Sequence, residues 1–289
     1  MARRYTRREF LDRLHAEIGR GRPLVMTGAG SGICAKFIER GGCDIIGVYN
    51  TGYFRMQGYG SLAGMLPIAD ANELVYRTAR REVLPQVGET PVVAGVNGVD
   101  PLRDMRVFLE ELRRIGISGV HNFPTVAWFD GEFRQTLEAT GLGYQLELNM
   151  LAMARELDLL TVGYAFNADD TGRLMRDAAP DIYIFHAGIT RGGATGYQGA
   201  SALEETARRS QEHFELARRI KPDVVLLAHG AALSDPTDAQ YLLDHTDCQG
   251  VQLGSAIERL AIERPLEERA AAFKSVRFSA RRLPRVDPA

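Results

Sequence analysis

At 289 residues, 45% of them hydrophobic, the chain can bury one sizeable core without a linker. Its 35 Lys+Arg and 37 Asp+Glu leave a formal net charge of -2, which excludes bulk electrostatic attraction to nucleic acid or an anionic membrane. Cys34, Cys43 and Cys248 are odd in number and lack CxxC spacing, against a disulfide framework or structural zinc. With no apolar run of about 18 residues either, the expected setting is a reducing cytoplasm.

Thr6 stands ahead of Phe10, Leu11, Leu14 and Ile18, a spacing that predicts an amphipathic helix within residues 1–22. Gly19 and Gly21 stop it, and it is expected to plug or flank the bottom of the fold. Short apolar strands then follow, each ending in glycine or a polar residue. They are PLVMT before Gly28-Ala29-Gly30, DIIGVY before Asn50, PVVAGV before Asn97, GVHNFP, LLTVGYAF before Asn167, IYIF before His186-Ala187-Gly188, VVLLA before His229-Gly230, and GVQL before Gly254-Ser255. Eight such units, most followed by a helix-period segment, predict an α/β fold, the (β/α)8 TIM barrel, with its active site where the strands end.

Between strands two and three lies a long insertion, residues 51–85, whose glycine-rich first half precedes a helix beginning near Asp70. Asp100-Pro101 and Asp235-Pro236 each place a capping carboxylate before a proline at the first helical position. A second extension, Gly141 to Asp158, carries an amphipathic helix through Tyr144, Leu146, Leu148, Leu151 and Ala152. Residues 278–289 lose periodicity and read as a fraying tail, so the expectation is a single barrel domain over 1–289.

Strand-end polar groups are the candidates for chemistry. Gly28-Ala29-Gly30-Ser31-Gly32-Ile33 follows a strand but fails the dinucleotide fingerprint at its third glycine, and strand two ends in Tyr49-Asn50 without the acidic residue a ribose needs. Two readings stay open: backbone amides turned towards a carboxylate or phosphate, or a tight turn with no ligand. The glycine-rich run His186 to Gly196 carries one guanidinium, Arg191, and with His229-Gly230 and Gly254-Ser255 it converges on an anion unless the glycines merely relieve crowding at the rim.

Of six histidines, His121, His186 and His229 lie in or at the ends of strands, while His15, His213 and His245 fall on helices. Alternation puts His121 and Asn122 on opposite faces, and Asn122 is taken as the inward one. His186 and His229 suit acid/base work or metal ligation, or are structural. The three lysines, Lys36, Lys221 and Lys274, leave a Schiff-base mechanism little support. There is no Gly-x-Ser-x-Gly elbow and no Walker loop.

The segments GAGSGICAKF, YNTGYFRMQGYGSLAGMLPIADAN, NFPTVAWFDGEFRQTLEATGLGYQLE, HAGITRGG, HGAALSDPTDAQYLL and GSAIERL resemble the phosphoenolpyruvate hydrolase-like TIM-barrel family, whose barrel also occurs in a plant antiviral resistance protein. The likeness runs from about Pro23 to Lys274. It implies a barrel related to the phosphoenolpyruvate mutase and isocitrate lyase superfamily, commonly oligomeric and served by a divalent metal such as Mg2+. Enzymes of the mutase type resemble one another in an Asp-x-Asp on strand three and an acidic residue on strand four. Here those places read Val96-Asn97-Gly98-Val99-Asp100 and His121-Asn122-Phe123. The narrower family's Glu-Val-Glu appears as Glu147-Leu148-Asn149, one carboxylate short.

The resemblance and the residues together predict an enzyme acting on a small anionic keto- or enol-carboxylate, or a phosphate-bearing ligand, by hydrolysis or carbon-carbon lyase chemistry. Gly28, Gly30, Gly254 and Ser255 are expected to bind the anion and Arg55 to clamp it. Tyr49, Asn50 and Asn122 would polarise a carbonyl or enolate, His186 or His229 would move the proton, and Glu147 is a reserve base or metal ligand. The rival expectations are a ligand-sensing or protein-binding barrel without turnover, and a scaffold. A homo-oligomer is expected in each case, with the metal left open.

Overall fold

Eight parallel strands close into a barrel in simple sequential order, β1-β2-β3-β4-β5-β6-β7-β8, in a computed structural model that describes residues 2–199 and 202–277. The strands are β1 (Leu24–Gly28), β2 (Ile45–Val48), β3 (Val92–Gly95), β4 (Gly119–His121), β5 (Leu160–Ala165), β6 (Ile182–His186), β7 (Val225–His229) and β8 (Gly250–Leu253). Each is buried on both faces, which is why the strands read as nearly unbroken apolar runs. The register pairs Leu24 with Gly250, closing the ring, and His186 with His229 near the opposite end.

The helices are α1 (Arg7–Gly19), α2 (Gly32–Arg40), α3 (Asn50–Met56), α4 (Ala71–Thr78), α5 (Met105–Ile115), α6 (Gly131–Ala139), α7 (Gln145–Glu156), α8 (Ala168–Arg173), α9 (Leu203–Ile220), α10 (Pro236–His245), α11 (Ser255–Glu258) and α12 (Leu260–Lys274). Helix α1 starts with a capping box, Thr6 against Glu9. Its Phe10 and Leu14 are fully buried and join Leu24, Met26, Ile45, Val93, Leu160 and Val225 in the cluster that fills the barrel, so α1 plugs the bottom. A second cluster, between the outward faces of the strands and the helices, joins residues such as Ile46, Val92 and Leu226 to Val75, Leu109, Leu148 and Phe214. Among the described residues no helix is long and apolar enough to cross a membrane.

Three expectations need correction or fall outside. Asp100-Pro101 does not start a helix: α5 begins at Met105, capped by Asp104. The Asp100 carboxylate is instead held by Asn72 Nδ2 at 2.9 Å, the Leu102 amide at 2.9 Å and Arg103, which fixes a turn. The first half of the 51–85 insertion is helical rather than loop, with α3 starting directly at Asn50 and a 3-10 turn over Ser61–Met65. The fraying tail assigned to 278–289 lies outside the described residues. Asp235 does cap α10, in a box with Asp238 and with Pro236 in its first turn, and α4 starts after its cap Asp70.

Candidate active site

A cavity of about 60 Å³ opens at the C-terminal ends of the strands. Its polar lining comes from strands β5 to β8 and from the segments after β2 and β8: Tyr164, His186, His229 and Gln252, together with Arg55 and Ser255. Tyr49, Trp128 and Phe123 complete one apolar wall. Parity places these groups. Along each strand alternate residues face the barrel axis, and the inward residue nearest the mouth is Tyr49 after β2, His121 in β4, Tyr164 in β5, His186 in β6, His229 in β7 and Gln252 in β8.

The two histidines are opposite one another in the β6–β7 register and meet Nε2 to Nε2 at 3.2 Å. Their tautomers follow from the outer nitrogens. His186 Nδ1 accepts the Gly188 amide at 3.2 Å, so its proton sits on Nε2 and points at His229. His229 Nδ1 lies 2.7 Å from the Gln252 carbonyl, to which it must donate, so its Nε2 is the acceptor. Burial pushes His229 down to about 4, with the Arg55 charge adding to it, and burial likewise carries His186 well below the ordinary range. Both rings are therefore neutral near neutral pH. Phe166 stacks on His186 at 4.7 Å, Trp128 meets its edge at 4.4 Å, and Tyr164 stacks on His229 at 5.4 Å.

Arg55, on the last turn of α3, is buried against Glu258 of α11. Its Nε donates to Glu258 Oε2 at 2.8 Å, Nη2 donates to the same oxygen, and Nη1 reaches Ser61 Oγ at 3.0 Å. Ser61 Oγ in turn lies 3.2 Å from Ser255 Oγ. The clamp expected of Arg55 is thus already charge-compensated by a carboxylate that is itself fully buried. Gly254 lies against the guanidinium, where an added Cβ would sit 3.7 Å from Arg55.

Gly28 and Gly30 do not line the cavity. A Cβ at Gly30 would come within 2.2 Å of the Gly52 carbonyl oxygen, and one at Gly28 within 2.5 Å of Glu258 Oε2. Both glycines let α3 and the ion pair lie close to the end of β1. Asn50 is also turned from the cavity. It donates to the Gly64 carbonyl at 2.7 Å and accepts from the Thr51 amide at 2.9 Å, tying down the insertion.

Strand β4 reverses the expected orientation. His121 is the inward residue, 3.0 Å from Tyr49 Oη and ring to ring with Tyr164 at 4.0 Å. Asn122 faces outward, where its Oδ1 accepts the Tyr164 amide at 2.7 Å and its Nδ2 donates to Glu147 Oε2 at 2.8 Å. Glu147 is fully buried on α7, accepts the Val126 amide at 2.7 Å, and is pushed up to about 7 by burial. Neither touches the cavity. Sequence reading did not find Glu258, Gln252, Tyr164 or Trp128. Glu258 was inside the quoted GSAIERL segment, and Gln252 and Tyr164 are the inward, polar members of otherwise apolar strands.

The resemblance implies a divalent metal such as Mg2+. Mg2+ takes oxygen ligands, usually carboxylates. The strand ends at this cavity offer two imidazoles, a carboxamide and two phenols, while Asp100 and Glu147 are hydrogen-bonded elsewhere. Among the described residues no three His, Cys, Asp or Glu side chains converge as a metal site. The donor set does not fit magnesium.

Fold and pocket together define a (β/α)8 barrel with a buried polar site at the carboxyl ends of its strands. A family model described as phosphoenolpyruvate hydrolase-like matches residues 9–276, and the chain belongs to that family. It is 46% identical over 268 residues to the ToMV resistance protein Tm-1(GCR237) of Solanum lycopersicum, a match spanning 92% of this chain and 35% of that protein. The chain therefore spans about a third of the length of that relative. In fold it is similar to the phosphoenolpyruvate phosphomutase of Streptomyces platensis subsp. rosaceus, with a TM-score of 0.60 and 15% identity over 91% of this chain and 87% of the other. It is also similar to a phosphonopyruvate hydrolase solved with oxalate and Mg2+, with a TM-score of 0.58 and 14% identity over 96% and 92% of the two chains.

Proposed function

We propose that the protein is an enzyme acting on a small keto- or enol-carboxylate, by hydrolysis or carbon-carbon bond cleavage, with His186 and His229 moving the proton. The observation that carries this reading is the 3.2 Å contact between two neutral imidazoles of opposite tautomer at the floor of the cavity. His229 Nε2 is a free base once a substrate displaces His186, and His186 Nε2–H is a proton donor of matched geometry. A substrate hydroxyl or a water gives its proton to His229 Nε2 while His186 Nε2–H goes to the developing carbanion or leaving group. His229 then passes the proton it gained across the 3.2 Å Nε2–Nε2 contact to His186, so the pair returns to one ring proton each. In this reading Ser255 and Ser61, hydrogen-bonded to each other with Arg55 behind them, take the substrate carboxylate. The small volume favours a compact ligand over a nucleotide or sugar. Membership of the phosphoenolpyruvate hydrolase-like family supports the substrate class. No step is assigned to a metal.

A second reading, a barrel that binds a ligand without turnover, is favoured by one observation: the cavity's guanidinium is already neutralised by Glu258. The test is thermal stabilisation of the purified protein by keto acids, phosphoenolpyruvate and phosphonates, with and without Mg2+, Mn2+ or Zn2+, followed by product analysis. Consumption that falls by about 10²–10⁴ in His229→Asn supports the enzyme. Stabilisation without consumption selects the second reading, and no stabilisation by any anion removes both.

A further inference from the structure

The inner nitrogen of His121 is paired and the outer one is not. His121 is completely buried in β4, its Nδ1 lies 3.0 Å from Tyr49 Oη, and its Nε2 is a buried atom with no hydrogen-bond partner. One of two arrangements must hold. If Tyr49 donates to Nδ1, the imidazole proton is on Nε2, and a buried N–H is left without an acceptor. If Nδ1–H donates to Tyr49 Oη, only a lone pair is left bare. Orphaned buried N–H groups are rarer than unsatisfied acceptors, because the donor loses a strong water hydrogen bond and recovers nothing.

The seat of Tyr49 is built as well. An added Cβ at Gly47 would lie 2.4 Å from the Tyr49 ring, and one at Gly95 would lie 2.6 Å from it. Two neighbouring strands therefore give up a side chain so that this ring can fold back over them. Phe123 and His121 meet it edge-on at 5.8 Å and 5.6 Å. The ring has one position, and its hydroxyl lies beside His121 while its body lines the cavity. Gln252 of the cavity lining is the other side chain that hydrogen-bonds this hydroxyl, so its proton faces either His121 or the Gln252 side.

We infer that His121 is a positioning residue: its Nδ1–H donates to Tyr49 Oη and so turns the Tyr49 hydroxyl proton away from the barrel interior, towards the Gln252 side of the cavity, where it serves as a donor for a developing enolate or alkoxide oxygen. The hydroxyl becomes a fixed dipole aimed at the ligand rather than at the barrel interior, and no reorganisation is needed when charge develops. Burial holds His121 far below its ordinary pKa, with the nearby His229 acting in the same direction, so the ring stays neutral and keeps the single-proton form this arrangement requires. The role assigned to the oxygen rests on the proposed enzyme reading. The direction of the hydrogen bond does not.

The deciding measurement is made on the unmodified protein. With 15N-labelled histidine, long-range 1H–15N correlation spectra distinguish a protonated ring nitrogen from a bare one. The His121 signals are assigned by their loss in His121→Asn. The expected result is a protonated Nδ1 and a bare Nε2 for His121 across the neutral range. A protonated Nε2 overturns the inference, since Tyr49 then donates inward and presents no proton to the cavity. That spectrum reads no turnover, so a failure to consume any keto acid would remove the enzyme reading and leave the tautomer assignment intact.

Where a substrate is turned over, a mutational cycle adds a second test. His121→Leu is expected to lower kcat by about 10–100-fold with little change in KM, the part of an oxyanion donor's worth that depends on its aim. His121→Asn, whose amide can donate from the Nδ1 position, is expected to recover most of that loss. In a Tyr49→Phe background His121→Leu should cost nothing further, because the hydroxyl it orients is gone. Equal losses in both backgrounds would overturn the positioning role.

Discussion

Two columns of buried polar side chains rise at the mouth of this barrel, one facing in and one facing out, and they have almost nothing else to tell them apart. The inward column holds Tyr49, His121, Tyr164, His186, His229 and Gln252; the outward one holds Asn50 and Asn122, with Glu147 reaching Asn122 from α7. Both are polar, and all but the half-buried His229 are buried. The inward groups mostly bond to one another or line the cavity, as in Tyr164 Oη to Gln252 Oε1 at 2.6 Å. The outward groups bond to backbone amides and carbonyls and fasten helices and loops to the sheet. The difference teaches that a polar residue at a strand end is assigned its work by parity, since a shift of one position exchanges a cavity for the helix layer.

The sharpest way to break the comparison is to ask whether inward substitutions change chemistry and outward ones change stability. Arg55→Ala should have the largest effect on folding, about 3–5 kcal/mol, because Glu258 would remain as a buried, uncompensated carboxylate. Urea unfolding checks this, and a loss below about 1 kcal/mol would mean that Glu258 takes up a proton or escapes to water. Glu147→Ala should cost about 2–3 kcal/mol, since it strips an acceptor from the Val126 amide and from Asn122. Its residual turnover per folded molecule should stay within about tenfold of the parent.

Acidity offers a finer separation, because the two columns titrate in opposite senses. His229 is lowered from 6.5 to about 4, so the stability it contributes is present above 6.5 and is lost as pH falls towards about 4. Glu147 is raised from 4.5 to about 7, so its contribution is present below 4.5 and is lost as pH rises towards about 7. Each amounts to as much as about 3 kcal/mol at the far side of its window. In the shared interval the two contributions oppose each other in the parent, so relative to the parent the unfolding midpoints of His229→Asn should shift upward as pH falls, and those of Glu147→Gln downward. Identical slopes in the two variants would dissolve the distinction. The smallest effect belongs to Lys36→Ala, exposed on α2 away from the cavity, which should leave stability within about 0.5 kcal/mol and turnover unchanged.

The barrel was legible because its strands are short, apolar and punctuated, and because α1 carries its own cap and stripe. Helix α3 was hidden: Gly52, Gly58 and Gly60 around it read as loop, and its stability comes from packing against the Ser61–Met65 turn, α4 and α11 rather than from propensity. Asp100-Pro101 looked like a helix start, but local signals cannot reveal that Asn72 holds that carboxylate from the preceding insertion. At β4 the alternation separated His121 from Asn122 without saying which faced the axis. That was decided by register with β3, where His121 stands level with Gly95. Glu258 was out of reach of any local rule, since its partner Arg55 lies 203 residues earlier.

The histidine pair limits what can bind at the floor of the cavity. Each ring is moored by its Nδ1 to the main chain, His186 to the Gly188 amide and His229 to the Gln252 carbonyl, so neither can rotate away without breaking that tie. The sole valence either ring can turn towards a newcomer is the one now joined to its neighbour. A ligand that engages this floor must arrive as a wedge, taking a proton acceptor's place on one side and a donor's on the other. A molecule with only one of those faces leaves the latch shut.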